Sequence, residues 1–289
     1  MDNNHKANPT SGQLFIVATP IGHLSDITLR ALEILKSVDC IAAEDKRNSV
    51  KLLNHFAIHT PMIAYHEHNE SSMVEQIKFR LLQGEKVALI SDAGTPLIND
   101  PGYALVRTLR LEGFQVTPIP GACSPIVAMS VSGLPTDQFT YFGFLPRSGQ
   151  SREKLLTEIA QSPRTSVILE SPKRVIKTVQ ALQKHCSDDR EVCMARELTK
   201  LHETIVTLPI SRFAHYFESQ PLKGEVVLVI APLTESEEVS DDQIRSCLMR
   251  SPFVDLAPSK RAQAVAAHLH IHKSTVYDQL LVLKNEQEE

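Results

Sequence analysis

The chain has 289 residues, of which 42% are apolar and 22% charged, with a formal charge of −4. That length exceeds one ordinary core, and the balance is that of a folded soluble protein. A generally basic nucleic-acid binder is excluded, a local basic patch is not, and no run of about 18 apolar residues marks a membrane span.

The opening stretch "MDNNHKANPTSGQ" is polar and lacks the apolar centre of a signal peptide. A disordered tail over 1–12 and a cytoplasmic location are expected. The five cysteines form no CxxC pair, which fits free thiols in a reducing compartment.

From Leu14 onward, short apolar runs alternate with helix-period segments. Strands are predicted at 14–18, 39–44, 62–65, 86–91 and 114–119, separated by helices. The first helix, 25–38, has Ile27, Ala31, Ile34, Leu35 and Val38 on one face and Ser25 or Asp26 as its cap. Such βα alternation implies a largely parallel sheet with helices on its faces. The segment 120–138 reads as a short helix and a hinge, so an N-terminal α/β domain is expected over 13–135.

A second α/β domain is expected over 136–233. Strands begin at Phe139, Arg164, Glu191, His202 and Gly224, and three adjacent late strands predict a mixed sheet. After the acidic stretch "TESEEVSDDQ", residues 240–289 read as a small helical domain. Ala262, Val265, Ala266 and Leu269 share a helical face, "HIHK" turns, and Ser274 caps a second helix, in the manner of a helix-turn-helix. Residues 239–289 hold six Lys/Arg against seven Asp/Glu, so packing and nucleic-acid contact are both open for this tail.

Ligands of open α/β sheets bind beyond the carboxyl ends of strands. Three stiff, small-residue loops lie there: "TPIGHLSD", "DAGTPLINDPG" and "PGACSP". Their glycines allow close backbone approach and their prolines hold shape. Asp92 is placed to accept hydrogen bonds from a ribose or amino group, and Thr95 and Ser124 add hydroxyls. Neither GxGxxG nor GxxxxGK[ST] is present, so a dinucleotide fold or P-loop has no motif support.

In "ILESPKR", Ser171 is the expected N-cap, with Lys173 and Arg174 at a helix start suited to an anionic partner. "ARELTKLHE" clusters Arg196, Glu197, Lys200 and Glu203. "YHEHNE" invites a metal reading, but without a cysteine pair or HExxH no metal is expected.

The ordered set "VATPIGHLSDIT", "AAEDKR", "YHEHNE", "LISDAGTPLINDPG", "PIPGACSP", "ESPKR", "ARELTKLHE" and "KGEVVLVI" resembles the tetrapyrrole methylase class of S-adenosylmethionine methyltransferases. Within it, the chain is similar to the bacterial branch that methylates a cytidine ribose 2′-hydroxyl in 16S ribosomal RNA. The resemblance runs from about Leu14 to Pro232, and the tail resembles that branch's helical appendage. Two positions depart from the pattern: Lys46 in place of threonine, and Lys173 in place of histidine.

The resemblance implies two α/β domains with the cofactor between them, and a homodimer acting on 16S rRNA in the small ribosomal subunit. It implies S-adenosylmethionine held by Pro20, Asp92, Ala93, Gly94, Thr95, Ser124, Pro125, Glu170 and Leu198. Arg47, Lys173, Arg174 and Arg196 are the expected RNA contacts, and Lys200 or Glu197 the expected proton-transfer groups. A tetrapyrrole C-methyltransferase, or a cofactor-sensing nucleic-acid-binding regulator, is the alternative.

Overall fold

A computed structural model describes residues 12–217, 222–233, 241–250, 252–269 and 273–288. Residues 1–11 of the tail expected over 1–12 and most of the acidic stretch therefore lie outside the described residues, as does the "HIH" turn, while Gly12 is buried and its amide donates to the Leu81 carbonyl.

The first sheet has the order β3-β2-β4-β1-β5, with every pairing parallel. Its strands are β1 (Gln13–Val17), β2 (Cys40–Ala43), β3 (Met62–Ala64), β4 (Lys86–Ile90) and β5 (Gln115–Ile119). The helices between them are α1 (Leu29–Ser37), α2 (Lys46–His55), α3 (Glu70–Leu82) and α4 (Tyr103–Leu111). Parallel strands with helices on both faces are apolar throughout rather than alternating. In β1, accordingly, Leu14 packs with Ile77, Leu81, Leu105 and Leu109 of α3 and α4, while Phe15 and Val17 pack with Ala31, Leu35 and Leu53 of α1 and α2.

The second sheet has the order β6-β7-β10-β8-β9. Its strands are β6 (Phe139–Phe144), β7 (Thr165–Glu170), β8 (Glu191–Arg196), β9 (Thr204–Pro209) and β10 (Val226–Ile230). Only β6 and β7 pair in parallel; β10 and β9 run antiparallel to their neighbours, as a mixed sheet requires. One face is covered by α6 (Gln150–Ala160), α7 (Val175–Gln183) and α8 (Ile210–Tyr216). The other is covered by α5 (Ser124–Ser132), whose Ala128 and Met129 pack on Val167, Cys193 and Val229. So α5 precedes the expected boundary near 135 in the chain but packs on the second sheet.

The first helix differs from its prediction. A 3-10 turn spans Leu24–Asp26, and α1 starts only at Leu29, capped by Thr28, whose hydroxyl accepts from the Ala31 amide. At the start of α7 the chain makes a turn over 172–174, and Arg174 rather than Ser171 precedes the first helical residue.

Residues 1–233 and 234–289 form separate compact units. In the smaller, α9 (Asp241–Leu248), α10 (Pro258–Leu269) and α11 (Lys273–Glu288) surround a core of Ile244, Leu248, Ala262, Val265, Ala266, Val276 and Leu280. The predicted apolar face of α10 is the one buried. No helix among the described residues is long and apolar enough to cross a membrane.

Candidate active site

Strands β1 and β4 are neighbours whose onward connections leave in opposite directions, toward β2 and toward β5. Such a switch point opens a crevice at the strand ends. Here the two loops are joined across it. The Thr19 amide donates to the Gly94 carbonyl at 2.8 Å, and the Gly94 amide donates to Thr19 at 3.0 Å. Gly94 has φ +85°, a left-handed value that favours glycine. Thr95 Oγ1 donates to the Ala122 carbonyl at 2.9 Å, bringing in the loop after β5. The three loops singled out in the sequence are thus one unit.

The second sheet meets them closely. A Cβ on Gly22 would stand 2.6 Å from Thr199 Oγ1 and from Lys200 Cγ, and the His23 amide donates to Thr199 Oγ1. Asn99, at φ 68°, accepts from the Tyr141 hydroxyl on β6 at 2.8 Å. Between these two tethers lies a cleft of about 420 Å³. One wall is apolar: Ile21, Leu169, Ala195, Leu198, Val226 and Val227. The other carries the carboxyl groups of Glu44, Asp92 and Asp100.

Of the residues expected to hold a cofactor, Asp92, Ala93, Ser124, Glu170 and Leu198 line the cleft. Pro20, Gly94, Thr95 and Pro125 do not; Gly94 and Thr95 brace the loops behind the wall, and Pro125 is buried in the first turn of α5. Asp92 already accepts from the Asp45 amide at 3.1 Å and from Asn48 Nδ2 at 2.8 Å, so it ties the start of α2 to the cleft. Glu170 has a fully buried side chain saturated by Arg174, by the Thr178 hydroxyl at 2.6 Å and by the Ser171 amide. It anchors the rim as well as lining it.

Arg174 spends its guanidinium on Glu170 and the Leu145 carbonyl, and Arg196 on the Lys223 and His202 carbonyls and Thr204. Both expected RNA contacts hold loops together instead of presenting a free charge. Lys173 is exposed, and the Arg47 side chain is 89% exposed while paired with Asp45.

Glu197 and Lys200 stand beside the cleft, and neither lines it. Lys200 Nζ bonds Glu197 Oε1 at 2.9 Å and Glu225 Oε2 at 3.2 Å, and the Glu225 amide donates to the same Glu197 oxygen. Burial works against the Lys200 charge, but its two acidic partners outweigh it and hold the ammonium above its ordinary range. Burial also raises Glu197, and there the Glu225 amide and Lys200 outweigh it and keep the carboxylate low. Gly224 makes the arrangement possible: at φ +86° its Cβ would fall 2.2 Å from Glu197 Oε1.

Two wall carboxyls were not singled out in the sequence. Burial pushes Asp100 up to about 6, helped by the charges of Glu44 and Asp92 against a hydrogen bond from Ser91. Glu44 is raised by burial too. The "AAEDKR" stretch contains Glu44 without marking it, and nothing in "LINDPG" marked Asp100 as facing a cleft. Among the described residues no group of three or more His, Cys, Asp or Glu is arranged to hold a metal.

Residues 13–214 match the family described as Tetrapyrrole (Corrin/Porphyrin) Methylases. The chain belongs to the tetrapyrrole methylase family. Among curated relatives of this methylase, the ribosomal RNA small subunit methyltransferase I of Escherichia coli O157:H7 is 42% identical over 281 residues, covering 96% of this chain and 97% of the relative. The protein of the same name from Synechocystis is 40% identical, covering 94% and 99%. Solved methylase structures share the fold at low identity. A diphthine synthase superposes with a TM-score of 0.59 at 15% identity, covering 76% of this chain and 90% of its own. The uroporphyrin-III C-methyltransferase of Thermus thermophilus, complexed with S-adenosyl homocysteine, gives 0.55 at 17% identity, covering 76% and 97%.

Proposed function

We propose that this methylase transfers a methyl group from S-adenosylmethionine to the ribose 2′-hydroxyl of a cytidine in 16S rRNA of the small ribosomal subunit. The observation that carries the cofactor part is the two-faced cleft. An apolar wall of strand ends suits a purine, and three carboxyl groups opposite suit a ligand bearing sulfonium and ammonium charges. Asp92, Ala93, Ser124 and Leu198 would hold it, with Gly94 and Thr95 setting the loop and Glu170 the rim. When bound, the cofactor supplies an already activated methyl.

The chain's own work is then orientation and exclusion of water, which converts an encounter into a near-unimolecular step. The tethers Thr19 to Gly94, His23 to Thr199 and Tyr141 to Asn99 fix the cleft walls before any ligand enters. A protonated Lys200 has no lone pair for the acceptor's proton, and Glu197 Oε1 is filled by two donors. The pair shapes the loop that carries Leu198. Two residues of that loop, Glu197 and Thr199, hold φ 51° and 64°.

The substrate class rests on the relatives, whose name specifies small-subunit ribosomal RNA and whose full length this chain covers. Arg47 and Lys173 are the exposed cations placed for phosphate contact. A homodimer belongs to the same proposal, supported by large apolar side chains left in water: Leu201 is 92% exposed and Ile126 49%.

The test supplies labelled S-adenosylmethionine and purified protein to small ribosomal subunits from cells lacking this protein. Alkali cannot cleave beside a methylated 2′-oxygen, so label in an alkali-resistant dinucleotide supports the reading. Absence of label in RNA, with cofactor binding verified by calorimetry, overturns it.

A further inference from the structure

A second cavity, of about 470 Å³, adjoins the cleft. It shares Glu44, Asn99 and Asp100 with the cleft and is otherwise lined by His66, Glu67, His68, Glu70 and the start of α4. Its lining is polar where the cleft's is largely apolar. One ring nitrogen, His66 Nδ1, is buried and has no hydrogen-bond partner among the described residues. A methyl transfer needs two adjoining sites with the reacting atoms at their junction, and these two cavities adjoin at Glu44, Asn99 and Asp100.

Resting on the function proposed above, we propose that the acceptor nucleoside occupies this second cavity and that Asp100, on the shared wall, is the base that takes its hydroxyl proton. The loop holds Asp100 in place. Asn99 before it is hooked to Tyr141, and Pro101 after it fixes the following φ. Glu44, the other shared carboxylate, faces the Asp92 amide at 3.4 Å. Carboxylates also suit a nucleoside that presents hydroxyl and amine donors, since acidic side chains accept from the exocyclic amine of cytosine.

In the step, the acceptor oxygen forms a bond to the methyl carbon and the carbon–sulfur bond breaks, its electron pair staying on sulfur. The oxygen–hydrogen pair stays on oxygen, and the proton passes to the Asp100 carboxylate and then to water. A base works best when its pKa lies near the working pH, and burial has moved Asp100 in that direction. The groups facing it are Glu44 after β2, His66, Glu67, His68 and Glu70 before and on α3, Ser91 and Asp92 after β4, and Tyr141 on β6.

The experiment compares wild type, Asp100→Asn and Asp100→Glu in single-turnover transfer to small subunits between pH 5 and 8. S-adenosylhomocysteine affinity and the carboxyl titration of ¹³C-labelled aspartate are measured alongside. Wild-type transfer should rise through pH about 6. Compared at saturating cofactor, with S-adenosylhomocysteine affinity used to set the concentration for each variant, Asp100→Asn should transfer at least about 10²-fold more slowly and lose that limb. Asp100→Glu should recover part of the rate. In wild type, the labelled carboxyl should titrate lower once the cationic cofactor is bound. Transfer by Asp100→Asn within about threefold of wild type overturns the proposal. Equal impairment of folded Asp100→Asn and Asp100→Glu does the same, and so does a wild-type profile flat from pH 5 to 7, which depends on neither variant's folding. If wild type labels no RNA, the function reading itself has failed, a result distinct from all of these.

Discussion

The two walls of the cleft are made by different means. The second sheet contributes strand ends whose polar groups are spent on one another, as Glu170 is on Arg174 and Thr178, and Glu197 on Lys200. The first sheet contributes loops whose carboxyls line the cleft with no cation hydrogen-bonded to them among the described residues, Glu44 and Asp100 at raised pKa. One wall is therefore a stability element and the other a reactive one. Substitutions should separate them.

The largest expected effect is at Glu170. Glu170→Ala strands Arg174 and Thr178 at a buried site and should lower stability by about 3 kcal/mol, read as a drop in denaturant midpoint. Gly224→Ala comes next. Left-handed φ together with a clash on Glu197 should cost about 2 kcal/mol and halve or worse the yield of folded protein, while Gly113→Ala has open space around its Cβ and serves as the control for φ alone.

Asp92→Asn tests the opposite wall. It should cost only about 1 kcal/mol in stability yet weaken S-adenosylmethionine binding about tenfold, an electrostatic loss of near 1.4 kcal/mol. Equal losses at Glu170 and Asp92 in both assays would erase the distinction between the walls.

Asp100 gives the comparison a pH signature. Its folded pKa of about 6 lies above its ordinary 3.8, so the folded state binds the extra proton. The associated stability is full below about pH 4 and lost as pH rises through 6, and Glu44, raised as well, adds in the same direction. Asp100→Asn should flatten that decline in melting temperature. The smallest effect belongs to Arg47→Ala, an exposed pair screened by solvent whose loss should leave the melting temperature essentially where it was. Its mark should be on ribosomal particles, where the salt slope of binding falls by about one.

Both sheets were readable because buried parallel strands between amphipathic helices announce themselves by apolar runs and turn residues. Thr28 was missed because Ser25, Asp26 and Thr28 are all competent caps, and only the three-dimensional path selects one. The sheet that α5 covers was unreadable: "SPIVAMSVS" is small and apolar all round, so no stripe shows which way it faces. The family's loops showed where a ligand would lie. They did not show that Gly94 and Thr95 brace the wall from behind, or that Arg174 and Arg196 are consumed internally. Asp100 depends on left-handed turns at Asn99, which tolerates that region, and at Leu97, which ordinarily avoids it. Such a fold-back leaves no periodic trace.

The paired hydrogen bonds between Thr19 and Gly94 give the molecule its own gauge. Their two amides belong to loops, which ordinarily exchange hydrogen quickly, yet here each protects the other across the crevice floor. Both should show one shared protection factor, because the paired bonds open together when the loops part. A ligand that presses on this floor would slow both amides together, so cofactor arrival becomes visible at two backbone protons without any label on the ligand.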